Sequence, residues 1–97
     1  MKLVFRRRAL EQIDAAAIYY EHERAGLGAR FEEAVLRAAA FVAASPGVGS
    51  LLGKARRWRV PRFPYSILYA EEPAGILVLA VLHHKRGPAA GRDTSDP

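Results

Sequence analysis

Ninety-seven residues suffice for one packed domain, and 51% hydrophobic with 26% charged residues is the balance of a globular chain. There is no cysteine, which excludes a disulfide framework, a thiol nucleophile and a thiolate metal site; no apolar run approaches the roughly 18 residues of a spanning helix. The net charge of +5 is uneven: Glu11, Asp14, Glu21, Glu23, Glu32 and Glu33 crowd the first half, whereas Lys54, Arg56, Arg57, Arg59 and Arg62 follow one another with no acid between them. Such a basic stretch suits an anionic partner, although a solvated basic strand would look the same. At the N-terminus the cluster Arg6-Arg7-Arg8 follows the apolar residues, the reverse of a signal peptide, so a cytoplasmic protein is expected.

Lys2 to Arg6 is a short strand candidate, with Leu3 and Phe5 facing one way and Val4 the other. From Ala9 to about Arg24, Leu10, Ile13, Ala17 and Tyr20 recur at helical spacing and predict a helix with those four inward. Ala25-Gly26-Leu27-Gly28 stops it, because glycine adopts the left-handed conformation that ends helices. A second helix is predicted from about Ala29 to Ala44, with an inward stripe of Phe31, Val35, Ala38 and Val42 widened by Leu36 and Phe41. Ser45-Pro46-Gly47 ends that one. So short a connection makes the two an antiparallel hairpin.

Arg56 to Val60 alternates, Trp58 and Val60 facing opposite to Arg57 and Arg59. Pro61 and Pro64 bracket a turn, and Tyr65 to Ala70 is the next strand. Glu71 to Gly75 is a tight turn, and Ile76 to His83 is apolar on both faces, as an interior strand must be. The fold class is therefore α+β: a two-layer arrangement of strand, helix hairpin and three-stranded antiparallel meander, the hairpin lying on a four-stranded sheet. Residues 1–88 form the single domain, and 89–97, rich in small and polar residues, are expected to be a flexible tail.

The usual enzyme signatures are missing: no phosphate-binding glycine loop, no His-Glu-x-x-His, no Gly-x-Ser-x-Gly. His83 and His84 are adjacent on a strand, so they point to opposite faces and do not share a metal; neither metal nor other cofactor is expected. His22 sits among charges on the first helix and is expected to be exposed. One constellation remains. Arg57, Arg59 and Arg62 from the basic strand, with His83 and Arg86 from the end of the last strand, could line one cationic face if those strands are neighbours. Histidine can move protons near neutrality and arginines can clamp a phosphate, which is sufficient for metal-free phosphodiester cleavage. The same set also describes a plain anion-binding surface.

The stretch Arg62-Phe63-Pro64-Tyr65, a strand ending in Tyr69, and the strand end Ala80-Val81-x-His83-x-x-Arg86-x-Pro88 resemble the RelE/ParE family of growth-inhibiting toxins from type II toxin–antitoxin, or plasmid-stabilisation, systems. The first half fits more loosely, through its strand, its helix beginning near Ala9, Tyr19-Tyr20 and Ser45-Pro46. The resemblance implies a toxin neutralised by a cognate antitoxin in a hetero-oligomer, with no membrane partner. RelE-like members cut mRNA on the ribosome, whereas ParE-like members poison DNA gyrase and lack the ribonuclease set. Candidate catalytic residues are thus Arg57, Arg62, His83 and Arg86, with Lys54 and Arg59 as anion-binding residues. The chain is a metal-independent endoribonuclease if RelE-like and not an enzyme if ParE-like. After Pro88 comes Ala89-Ala90-Gly91-Arg92, without the aromatic that many ribonuclease relatives carry, which leaves the target open. The alternative is a non-catalytic basic domain that binds nucleic acid or protein. An antitoxin segment is expected to lie over Arg57, Arg59 and Arg62; the competing site is the helix hairpin near Tyr19, Tyr20 and Phe31.

Overall fold

A computed structural model describes residues 2–86; the tail expected at 89–97 lies outside them. Strand β1 (Lys2–Phe5) leads into helices α1 (Arg7–Glu23) and α2 (Leu27–Ala44), and a 3-10 turn (Pro46–Val48) precedes β2 (Ser50–Leu52). Then come β3 (Ala55–Val60), β4 (Tyr65–Glu72), β5 (Gly75–His83) and a second 3-10 turn (His84–Arg86). The sheet has five strands in the order β1-β5-β4-β3-β2, antiparallel except for β1, which runs parallel to β5. The meander and the interior position of the last strand follow the alternation in the sequence. Strand β2 does not: it adds a fifth strand to the four expected.

Both helices cover one face of this sheet, and the core lies between the layers. Phe31, Val35, Ala38 and Val42 of α2 are buried there against Val60, Ile67, Tyr69, Val78 and Val81. Three residues expected to be inward are not. Leu10, Leu36 and Phe41 are 49%, 56% and 50% exposed. Their places are taken by alanines, since Ala9 and Ala39 are fully buried and Ala16 nearly so. Small side chains let the helices approach closely, and the bulky neighbours are turned outward as a result. At the crossing, a Cβ on Gly28 would stand 2.5 Å from the Ala17 carbonyl oxygen, so only glycine fits.

Two local devices fix the edges. Gly75 has φ of 153° and lies where a side chain would collide with the backbone of Lys2, so glycine lets β1 lie against β5. At the other edge, the Tyr69 hydroxyl donates to Pro46 O (2.7 Å) and accepts from Gly49 N (3.0 Å), while Arg56 donates to Gly49 O (2.8 Å). These bonds clamp the segment before β2 beside β3. Between Leu68 and Tyr69 the register of β4 on β5 slips, so that Leu68 faces Ala80 and Tyr69 faces Val78, with Leu79 unmatched. Such an extra residue reverses the parity of the strand beyond it.

Candidate functional site

That parity decides where the candidate residues go. Tyr65, Ile67 and Tyr69 of β4 point to the helices, and with them their cross-strand partners: Val60, Trp58 and Arg56 on β3, His83, Val81 and Val78 on β5. Ser66, Leu68 and Ala70 point to the opposite, open face, which among the described residues neither helix covers, and so do Arg59 and Arg57 on β3 and Leu82, Ala80 and Leu77 on β5. Moreover, β3 and β5 are not neighbours, because β4 runs between them. The histidine and the arginine pair are therefore separated by about 10 Å of sheet and by its two faces.

His83 packs edge-on against Tyr65, with ring centroids 5.0 Å apart. Its Nδ1 accepts the Lys85 amide at 3.0 Å. Arg57 and Arg59 are brought together, both exposed on the open face. Lys54 is exposed in the turn between β2 and β3. Arg62 belongs to neither group: it sits in the turn between β3 and β4 with φ of 72°, a left-handed conformation uncommon for a residue with a side chain. Arg86 ends the second 3-10 turn. His22 is exposed on α1, as expected.

Two features escape the sequence. On the open face, Ser66 Oγ and His84 Nε2 are 2.9 Å apart, and Ser66, only 4% exposed, faces Arg59 across the strands. His84 rather than His83 is thus the histidine on the arginine side. On the helix side, a groove of about 1000 Å³ runs between α2 and β3 and on to the turn at 61–64. Its walls include Leu27, Ala38, Phe41, Trp58 and Phe63; Phe41 and Trp58 stack with centroids 5.2 Å apart and 23° between planes. Arg30, Arg37 and Arg62 also line it, against one acid, Glu33, which pairs with Arg37 at 3.3 Å.

One end of the groove is closed by an aromatic cluster. Tyr20 packs on Phe31 (5.3 Å) and Phe63 (5.0 Å), and Phe31 on Tyr65 (5.0 Å). Burial, and then the neighbouring Tyr65 and Tyr19, push the Tyr20 hydroxyl above its ordinary value, so it stays protonated. Phe31 is fully buried and cannot form a surface. Among the described residues no three His, Cys, Asp or Glu side chains gather to hold a metal, and no helix is long and apolar enough to cross a membrane.

Residues 3–88 match the family described as ParE toxin of type II toxin-antitoxin system, parDE. The chain belongs to this family. It is a toxin of a type II toxin–antitoxin module. Its fold is similar to that of a chain from the chromosomal ParDE TA system of P. aeruginosa, with a TM-score of 0.66 and 22% identity over 86% of this chain and 95% of that one. No curated protein matches the sequence significantly. For a ParE-family toxin the two surfaces pose separate questions: which one meets the antitoxin, and whether either can do chemistry.

Proposed function

We propose that this toxin acts in the cytoplasm by binding DNA gyrase, not by cutting RNA, and that a cognate antitoxin silences it by occupying the groove beside α2. The first part rests on one observation, the division of Arg57, Arg62 and His83 between two faces and a turn. Metal-free phosphodiester cleavage needs a base, an acid and cations around a single phosphate. His83 is held against Tyr65 with Arg57 on the far side of the sheet, and His84, which does stand on the arginine side, is a single acid–base group whose register neighbours among the described residues, Ser66, Leu68, Ala80 and Leu82, supply no second one. Binding a protein target requires no such convergence. Membership of the ParE family points the same way.

The groove supports the second part. Its apolar walls can take the anchor side chains of a partner helix, and its arginines outnumber its acids three to one. An amphipathic, acidic segment meets both features, the apolar face supplying affinity and the charges speeding encounter. One segment lying flat cannot cover Arg57, Arg59 and Arg62 together, because Arg62 lies at the groove and the other two on the opposite face.

Induction in growing cells, followed in parallel for plasmid supercoiling and protein synthesis, tests the target. Loss of gyrase-dependent supercoiling with translation continuing is the expected result. Rapid arrest of translation with cut mRNA and intact supercoiling would overturn it. Co-expression with the neighbouring small reading frame should restore growth and yield a hetero-oligomer.

A further inference from the structure

The aromatic side chains of the inner strands lie on the helix side: Trp58, Tyr65 and Tyr69 by register, each packed in or against the core. The face they leave open is differently equipped. Leu68, Ala80 and Leu82 make an apolar floor, and along one side of it stand Arg57 and Arg59 and the hydrogen-bonded pair Ser66–His84. Arg57 and Arg59 are two residues apart on one strand, so their stems rise side by side about 7 Å apart. Among the described residues neither has a carboxylate within ion-pair distance; the ion pair there is Arg37–Glu33, on α2. The helical acids lie across the sheet. Glu72, the acid that register places on the open face, is four residues along β4 from Leu68, the partner of Arg57, or roughly 14 Å.

Two like charges side by side repel, and a solvated surface has no need to place them beside a buried hydroxyl. A phosphodiester backbone makes use of the exposed groups. Guanidinium groups bind phosphate oxygens bidentately, and the exposed His84 imidazole, held by the buried Ser66 hydroxyl, adds a neutral polar contact that fixes a backbone in register. Proteins that hold single strands stack the bases on aromatic rings; among the described residues this face offers none. We infer that the open face of the sheet grips the phosphate backbone of duplex DNA through Arg57, Arg59 and His84, which the buried Ser66 hydroxyl holds in place, without reading base sequence. This goes beyond the proposed antitoxin and gyrase interactions and stands whichever protein is the target, because the DNA contact is made by the toxin alone.

The test is fluorescence anisotropy of the full chain with a short mixed-sequence duplex, from 50 to 200 mM salt. Two neutralised phosphates give a slope of log K against log salt of about −1.8, and hence a roughly 12-fold loss of affinity across that range. Arg57→Gln or Arg59→Gln should each flatten the slope by about 0.9. Arg24→Gln, the same charge change at the helix hairpin turn, should leave it unaltered. His84→Ala should weaken binding several-fold with the fold intact by circular dichroism. Three results would overturn the inference: no duplex binding at 50 mM salt, Arg24→Gln flattening the slope as much as Arg57→Gln, or a single strand of the same sequence binding more tightly than the duplex. Displacement of the duplex by an acidic peptide of equal charge at equal concentration would also overturn it, and would assign the face to a protein segment.

Discussion

A single hydroxyl ties down the segment that leads into the fifth strand. Tyr69 is fully buried, and its OH group is the acceptor for the buried Gly49 amide and a donor to Pro46 O. Tyr69→Phe keeps the ring and removes both bonds, leaving the Gly49 N–H without a partner; the expected cost is about 1–3 kcal/mol. For a domain of this size each kcal/mol lowers Tm by roughly 4–8 °C. Thermal unfolding of the variant would show it, with hydrogen exchange fastest at residues 49–52. An unchanged Tm would mean that β2 is held by β3 alone. Glu21 acts similarly at the helix hairpin. Its carboxylate accepts the amides of Gly26 (2.9 Å) and Gly28 (3.0 Å), which hold it below the usual carboxylate range. A depressed pKa in the folded state contributes stability at pH values above the unfolded value of about 4.3, and that contribution is lost as pH falls through the folded value. Glu21→Gln should therefore unfold at lower temperature than the parent at pH 7, with the gap narrowing as pH falls below the unfolded value. A gap independent of pH would show that charge on Glu21 plays no part.

At the scale of elements, the helices and the meander are legible because one face of each is buried. Burial imposes a period of 3.6 on Phe31, Val35, Ala38 and Val42 and a period of two on Arg57 to Val60. Periodicity does not tell a bulky residue from an alanine in the same stripe, which is why Leu10, Leu36 and Phe41 read as inward and stand outward. Nor does it register the slip at Leu79, since β5 is apolar on both faces and either parity satisfies the pattern. The site was misplaced by that one residue: unbroken alternation from Ile76 places His84 on the helix side, and the extra residue turns His83 there instead. Strand β2 has no periodic signal, because Ser50, Leu51 and Leu52 are all exposed. The irregularity has its own support. The Val81 amide, just beyond Leu79, donates to Gln12 Oε1 of α1 at 2.7 Å. Gln12→Leu strands that amide in a buried strand and should cost about 1–3 kcal/mol, with Val81 exchanging its amide hydrogen faster than its neighbours. Protection of Val81 equal to the parent's would mean that β4 or water takes over the donor.

Across the described residues, the sheet separates an apolar groove with a basic lining from an open face carrying two arginines that have no carboxylate within ion-pair distance there, and the two can be disabled one at a time. Trp58 lies in the groove wall, half-buried and stacked on the exposed Phe41, and presents the kind of rigid aromatic surface on which interface energy concentrates. If the antitoxin seats there, Trp58→Ala should weaken the complex by about 2 kcal/mol or more, roughly 30-fold in Kd, chiefly through faster dissociation. Arg30→Ala in the same groove should act mainly on the association rate, and less so as salt rises, because exposed charges are screened over about 10 Å at 0.1 M. Arg57→Ala, on the other side of the sheet, should change neither rate by more than a small factor, since no groove residue lies on its face. Stopped-flow association and surface-based dissociation of the antitoxin against the three variants would separate these outcomes. If Arg57→Ala slowed association as much as Arg30→Ala did, the antitoxin would have to wrap the edge of the sheet and reach both faces. It would then occlude the arginine pair directly, and groove occupancy alone would not account for neutralisation.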